Sequence, residues 1–283
     1  MQIGWAELDA MDPRALVAAR NQAQQAVQWV TRLSRANLPV RPGDSHSNFG
    51  WHRDRQALVS HELAASDKAV YRAGLRIDAM SLFIAEGATA IGEFALDGRN
   101  DTEAGHWLDG LADRIGLRPA SGVSLPYQLP VASGNRYTCA AARPDFVTLA
   151  RWFDAADDIL QETRMKLVAV TPGPSPVRCW PHHFDIATLL SLASGDPETV
   201  PSFGIGMSPG DDFYAEPYFY VSPWPVPPLE VLPDLPKPGH WHTDGFTGAV
   251  ATAHDVLSQP DRRLALRRFV DGAVAIARNL VKA

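Results

Sequence analysis

Fifteen of the chain's 23 prolines fall between residues 171 and 240. Proline fixes φ and removes a backbone donor, so this density forbids long helices and central ladder positions over a quarter of the chain. What it permits is short strands joined by rigid turns: "VRCW" (177–180), "FDIATLLSL" (184–192), "FGIGM" (203–207) and "PYFYVSP" (217–223).

The flanking sequence supplies what the proline-rich region cannot. Residues 12–36 have the spacing of an amphipathic helix, with Asp12 as cap, Pro13 at its first position, and Leu16, Ala19, Ala23, Val27, Val30 and Leu33 on one stripe. A loop over 37–50 follows, and from 56 to 97 the texture changes to strands, with "QALVSHEL", "GLRIDAMSLFIA" and "AIGEFALDG" alternating as an antiparallel meander. Further helices are expected over 101–116, capped by Asp101 or Thr102, over 143–164, and from Asp261 to about Val281. The fold class expected is α+β, with antiparallel sheets packed by N-terminal, central and C-terminal helices. Its two halves are 1–165 and 166–283, the second carrying the histidine-rich motifs, unless the whole is one compact domain. The stretches "FGWHRDRQALVSHEL" (49–63) and "RCWPHHFDIATLLSL" (178–192) place Trp, a His-containing cluster and an apolar strand at equal offsets, a sign of internal repetition.

Composition narrows the function classes. With 283 residues, 46% of them apolar, the chain can bury a core of enzyme size. A net charge of −6 argues against a nucleic-acid surface, because phosphate binding needs clustered cations. No apolar run reaches membrane-spanning length, and the acidic N-terminus lacks the features of a secretory signal, so no membrane partner and a cytoplasmic location are expected. Cys139 and Cys179 are expected as a reduced buried pair, with a single bridge as the alternative. The sequence motifs of dinucleotide enzymes and of phosphate-binding loops are absent.

Two histidine pairs draw the chemistry. In "WPHHFD" His183 and Asp185 share a face if the segment is extended, and in "GHWHTD" His240 and His242 do so too. Imidazole and carboxylate suit a borderline divalent metal, so His183, Asp185, His240 and His242 are the candidate ligands for zinc or iron, with His182 beside them. Asp212 and Glu216 are the candidate bases. Tyr218, Tyr220 and Trp224, alternating on one strand, form with His182 a candidate surface for a small-molecule ligand. Without a metal, His183 oriented by Asp185 would serve as a general base. The competing readings are hydrogen bonding with no further role, and a non-catalytic scaffold whose Pro- and aromatic-rich surface over 217–238 binds a partner.

At "SPVRCWPHHFDIAT", "GIGMSPGDDFYAEPYFYVSPWP" and "GHWHTDGFTGAV" the chain resembles a family of uncharacterised bacterial proteins of the domain-of-unknown-function type. The resemblance covers about 175–250 and extends more loosely to "HSNFGW" and "GRNDTEAGHWL". It implies no assigned activity. More distant members keep an FDLA-like segment matching Phe184-Asp185-Ile186-Ala187, with other residues where His182 and His183 stand, which implies that Asp185 matters more than the histidine pair.

Overall fold

A computed structural model describes residues 5–9, 11–129, 136–195 and 199–281. It is α+β, with two antiparallel sheets. In chain order the elements are α1 (Val17–Asn37), β1 (Gly50–His52), β2 (Ala57–Val59), β3 (Leu63–Ala64), β4 (Val70–Arg76), β5 (Ser81–Glu86), β6 (Thr89–Ala95), α2 (Asp101–Arg114) and α3 (Arg143–Leu167). There follow β7 (Gly173–Pro174), β8 (Arg178–Trp180), β9 (Asp185–Ser191), β10 (Ser202–Ser208), β11 (Tyr218–Trp224), β12 (His240–His242), β13 (Gly248–Thr252), α4 (Ala253–Leu257) and α5 (Arg262–Leu280).

The chain divides into two compact units. Ala15–Ala150 with Cys179–Phe184 form the first, and Gln2–Arg14, Arg151–Arg178 and Asp185–Ala283 form the second. The division thus falls inside α3 rather than after residue 165, and the turn bearing His182 and His183 belongs with the first unit. Cys179 is tied there by a two-way backbone bridge to Phe49, with N···O distances of 3.0 and 2.8 Å.

In the first unit the strands run β1-β2-β4-β5-β6, with β3 paired to β4. Helix α1 packs on β3 and β4 and against α2. The stripe of α1 explains this: Ala19, Ala23, Val27, Val30 and Leu33 are all fully buried. Helix α2 begins at Asp101, as expected, but its cap differs. Asn100, not Asp101 or Thr102, accepts from Glu103 N while the Glu103 carboxylate accepts from Asn100 N, a complete capping box.

In the second unit the order is β12-β13-β11-β10-β9-β7. Register and alternation divide the side chains of its long strands into two sets. Ile186, Leu190, Phe203, Ile205, Met207, Phe219, Val221, Ala249 and Ala251 form the buried apolar set. Helix α5 packs on β10, β11 and β13, with Leu266, Phe269, Val270, Ala273 and Ala277 buried. Its cap is Asp261, whose side chain accepts from Leu264 N at 2.9 Å.

The two meanders correspond strand by strand, β2-β4-β5 to β9-β10-β11. Gln56 and Phe184, each just before the first of these strands, both have positive φ, 48° and 59°. Gly74 on β4 faces Val59 and Phe83, as Gly206 on β10 faces Ala187 and Tyr220. In each case the aromatic ring lies over the glycine, where a Cβ would meet its Cζ at 2.5 Å. The correspondence therefore aligns Ala57 with Asp185, one residue away from the offset that matching Trp51 to Trp180 implies.

Candidate functional site

The second set of side chains on the second sheet carries the polar groups. Asp185 and Ala187 (β9), Gly204, Gly206 and Ser208 (β10), Tyr218, Tyr220 and Ser222 (β11), Val250 and Thr252 (β13), and His240 and His242 (β12) share this face by register. Strand β11 continues to Trp224, so Tyr218, Tyr220 and Trp224 do alternate on one side, although Trp224 ends the strand half-exposed.

Glycine at 206 lets the Tyr220 ring cross β10 and reach β9. There its hydroxyl donates to Asp185 Oδ2 in a short hydrogen bond. Asp185 is buried, and Tyr220 is partly exposed. Two residues away, Tyr218 donates to Asp211 Oδ2 at 2.6 Å. Burial, followed by the hydrogen bond to Asp211, raises the Tyr218 pKa far above the ordinary phenol range. Tyr218 therefore stands as a hydrogen-bond donor to a carboxylate.

Asp211 also builds the loop that brings a third tyrosine to this face. Its Oδ1 accepts from Phe213 N at 2.9 Å and Tyr214 N at 3.1 Å, and its own N–H donates to Tyr214 O at 2.8 Å. This turn returns Tyr214 toward β12. The Tyr214 hydroxyl lies 3.2 Å from His240 Nε2 and 2.9 Å from His242 Nδ1. The outer nitrogens are also engaged, His242 Nε2 with Asp244 O at 2.5 Å and His240 Nδ1 with Asp255 Oδ2 at 3.7 Å. His242 is stacked on Phe246, ring centroids 4.1 Å apart, with Phe213 edge-on at 5.1 Å. Burial, then Asp211 and Asp255, raise the Tyr214 pKa as well.

The structure therefore brings together His240 and His242, and separately Asp185 and Tyr220, but does not join the two sets. Strands β10, β11 and β13 intervene between β9 and β12, four spacings or roughly 19 Å. His183 is not on a strand with Asp185: residues 181–184 form a turn, closed by Phe184 N donating to Trp180 O at 2.7 Å, and β9 begins at Asp185. Pro181 and the positive φ of Phe184 break the alternation on which the shared face depended. The four-ligand set His183, Asp185, His240 and His242 is thus corrected. Among the described residues no three His, Cys, Asp or Glu side chains converge as a metal site.

The two candidate bases lie elsewhere. Asp212 stands exposed at the loop tip. Glu216 is buried, but its Oε2 accepts from His254 N at 2.7 Å, and its Oε1 lies 3.7 Å from Arg14 Nε. It secures the first turn of α4, and its carboxylate is directed to His254 N and Arg14 in place of the histidines of β12.

His182 belongs to a separate environment in the first unit. Gln24 Nε2 donates to its carbonyl at 3.0 Å, Gln28 Nε2 donates to Pro181 O at 2.9 Å, and Tyr127 OH donates to Gln28 Oε1 at 2.7 Å. The Tyr127 and His183 rings lie 5.5 and 4.2 Å from the His182 ring. Burial, then the neighbouring His183, push the His182 pKa down to about 4. His182 is thus a neutral imidazole at pH 7, and His183 beside it is exposed.

Tyr214, Asp211 and Asp255 are the site residues that sequence reasoning missed. The Gly-Asp-Asp composition signals a turn at Asp211, but no spacing rule connects Tyr214 to histidines 26 and 28 residues away. Comparison of the chain with models of protein families, with curated proteins and with solved structures returned no match. The resemblance of the 175–250 region therefore rests on its motifs.

Proposed function

We propose that the chain binds a small organic molecule on the tyrosine- and aspartate-bearing face of the second sheet. One observation carries this reading: the position of the Asp185–Tyr220 pair is filled in the first unit by Ala57 and Phe83, within a buried apolar cluster completed by Val59 and Ala85. The same backbone arrangement is thus built without a polar pair. Burying a carboxylate costs free energy that a hydrogen bond only partly returns, and apolar replacements of buried polar pairs are often neutral or stabilising. The fold does not require the polarity at this point, which favours a role in recognition. The partly exposed Tyr220, Ser222 and Gly204 give access to the face. Its carboxylates accept hydrogen bonds, and its rings offer flat apolar area, so the ligand expected carries amine or hydroxyl donors on a small ring or chain.

The test is ligand-observed NMR of the full chain against a panel of small aromatic amines and polyols. It is repeated with the Asp185→Ala/Tyr220→Phe double variant, which reproduces the first unit's chemistry. Specific binders that are lost in a variant melting close to wild type support the proposal. A variant that keeps the same binders, or one that no longer folds, removes its basis.

A second reading, a surface for another protein chain, is favoured by four large apolar side chains close in sequence. Trp224, Val226, Leu229 and Val231 are 48%, 52%, 53% and 53% exposed. Sedimentation velocity over a concentration series tests it for self-association. The expected loss of association in Trp224→Ser/Leu229→Ser supports it, and concentration-independent sedimentation of the wild type counts against a second copy as the partner.

A further inference from the structure

We infer that His240 Nε2 and His242 Nδ1 form a binding site for a divalent transition metal ion of the zinc type, at the point now taken by the Tyr214 hydroxyl. The site shares no ligand with the Asp185–Tyr220 pair and stands independently of the ligand proposal above.

The argument begins with hydrogen-bond polarity. Asp244 O is a carbonyl and only accepts, so His242 Nε2 carries its proton there and Nδ1 presents a lone pair to Tyr214. The Tyr214 hydroxyl has one proton, which it donates to His242 Nδ1. On the other side, a neutral His240 has two choices. With its proton on Nδ1 it faces the Asp255 carboxylate favourably, but Nε2 then turns a second lone pair on a hydroxyl that has no proton left. With its proton on Nε2 it satisfies Tyr214 but sets the Nδ1 lone pair against Asp255. In either tautomer one lone pair opposes an acceptor. With the proton on Nδ1, the tautomer that suits Asp255, two nitrogen lone pairs converge on a hydroxyl that supplies a single proton, and a metal cation there takes both.

The outer contacts are those that hold imidazole in metal sites. Metal-bound histidine ordinarily gives its other N–H to a backbone carbonyl or carboxylate, which fixes the tautomer and orients the ring. His242 has Asp244 O in that place and His240 has Asp255. Asp255 is itself held by Thr252, whose N–H and hydroxyl donate to Asp255 Oδ2 at 3.2 and 2.9 Å. The Phe246 stack fixes the plane of the His242 ring. Neutral imidazoles select zinc, cobalt, nickel or copper over magnesium or calcium. Two protein nitrogens leave the remaining positions of a tetrahedral ion to water or to a ligand. The side chain of His240 is 45% exposed, so the ion has a path from solvent.

The experiment is calorimetric titration of the full chain, prepared without an affinity tag, with zinc and with cobalt. In parallel, long-range 1H–15N spectra of the histidine rings are recorded. One equivalent of metal is expected, with zinc moving the His240 Nε2 and His242 Nδ1 resonances while the other ring nitrogens keep their shifts. His240→Ala/His242→Ala should abolish the binding, and Asp255→Asn should weaken it by roughly 10- to 100-fold. No saturable binding by wild type, or equal binding by the double variant, overturns the inference. The spectra stand apart from the variants: an imidazolium at His240 that zinc does not displace at neutral pH also overturns it, because a proton then occupies the site.

Discussion

Gly206→Ala tests the geometry on which the second unit's polar face depends. A Cβ at this position would meet Tyr220 Cζ and the hydroxyl oxygen at 2.5 Å and Cε1 at 2.8 Å. The ring is the movable end of a side chain, but it is pinned by the hydroxyl's bond to Asp185, so giving way means releasing that bond. A hydrogen bond to a charged group contributes about 1.5–3 kcal/mol. Replacing strand glycine by alanine returns about 0.5–1 kcal/mol. The net loss expected is therefore about 0.5–2.5 kcal/mol. Gly204→Ala is the matched control, since its Cβ would have only ordinary contact with Tyr220 at 3.6 Å, and a gain of about 0.5 kcal/mol is expected there. Urea unfolding of the full chain reads both. Tyr220→Phe should cost about 1.5–3 kcal/mol in the wild type and far less in Gly206→Ala, where the bond is already released. Gly206→Ala as stable as Gly204→Ala, or an unchanged Tyr220→Phe cost in both backgrounds, would refute the reasoning.

Other expectations follow from the remaining side chains. Tyr214→Phe should lower stability by about 0.5–1.5 kcal/mol and shift the ring nitrogens of both His240 and His242 in NMR, whereas a change at only one of them contradicts the bridging hydroxyl. His182 has its folded pKa depressed to about 4, below an unfolded value of about 6.5, so the unfolded chain binds the extra proton between these pH values and stability falls as pH drops through that window. Melts at pH 7, 5.5 and 4 should show a smaller fall for His182→Gln, and parallel curves would exclude this contribution. Cys139 and Cys179 are buried and form no disulfide, with burial, then Asp97, holding the Cys139 thiol up at about 12. A thiol reagent should label neither cysteine in the native chain and both in denaturant; native labelling of Cys139 would contradict its burial. Glu216→Gln should destabilise by about 1 kcal/mol through α4 without altering the rings of β12, and a shift in those rings would place Glu216 nearer the site than its 2.7 Å bond from His254 N implies.

Local pattern carried the elements a long way. The stripe of α1, the cap of α5, the short strands of the proline-rich region and the shared side of His240 and His242 all follow from periodicity and from what Pro, Gly and Asp do to their own backbone. Even the repeated texture of 49–63 and 178–192 pointed to two corresponding meanders, one residue out of register because strand offsets, not tryptophans, define the match. The site was less legible. Alternation predicted a shared side for His183 and Asp185, but a turn with positive φ at Phe184 intervenes, and this is a choice of backbone well that residue order does not reveal. Strand order decided the rest: alternation says which side of a strand a residue faces and nothing about which strand is its neighbour. Three strands thus came to lie between Asp185 and His242, and a glycine crossing and a turned loop gave these residues Tyr220 and Tyr214 as partners, because pairing across a sheet is fixed by long-range packing.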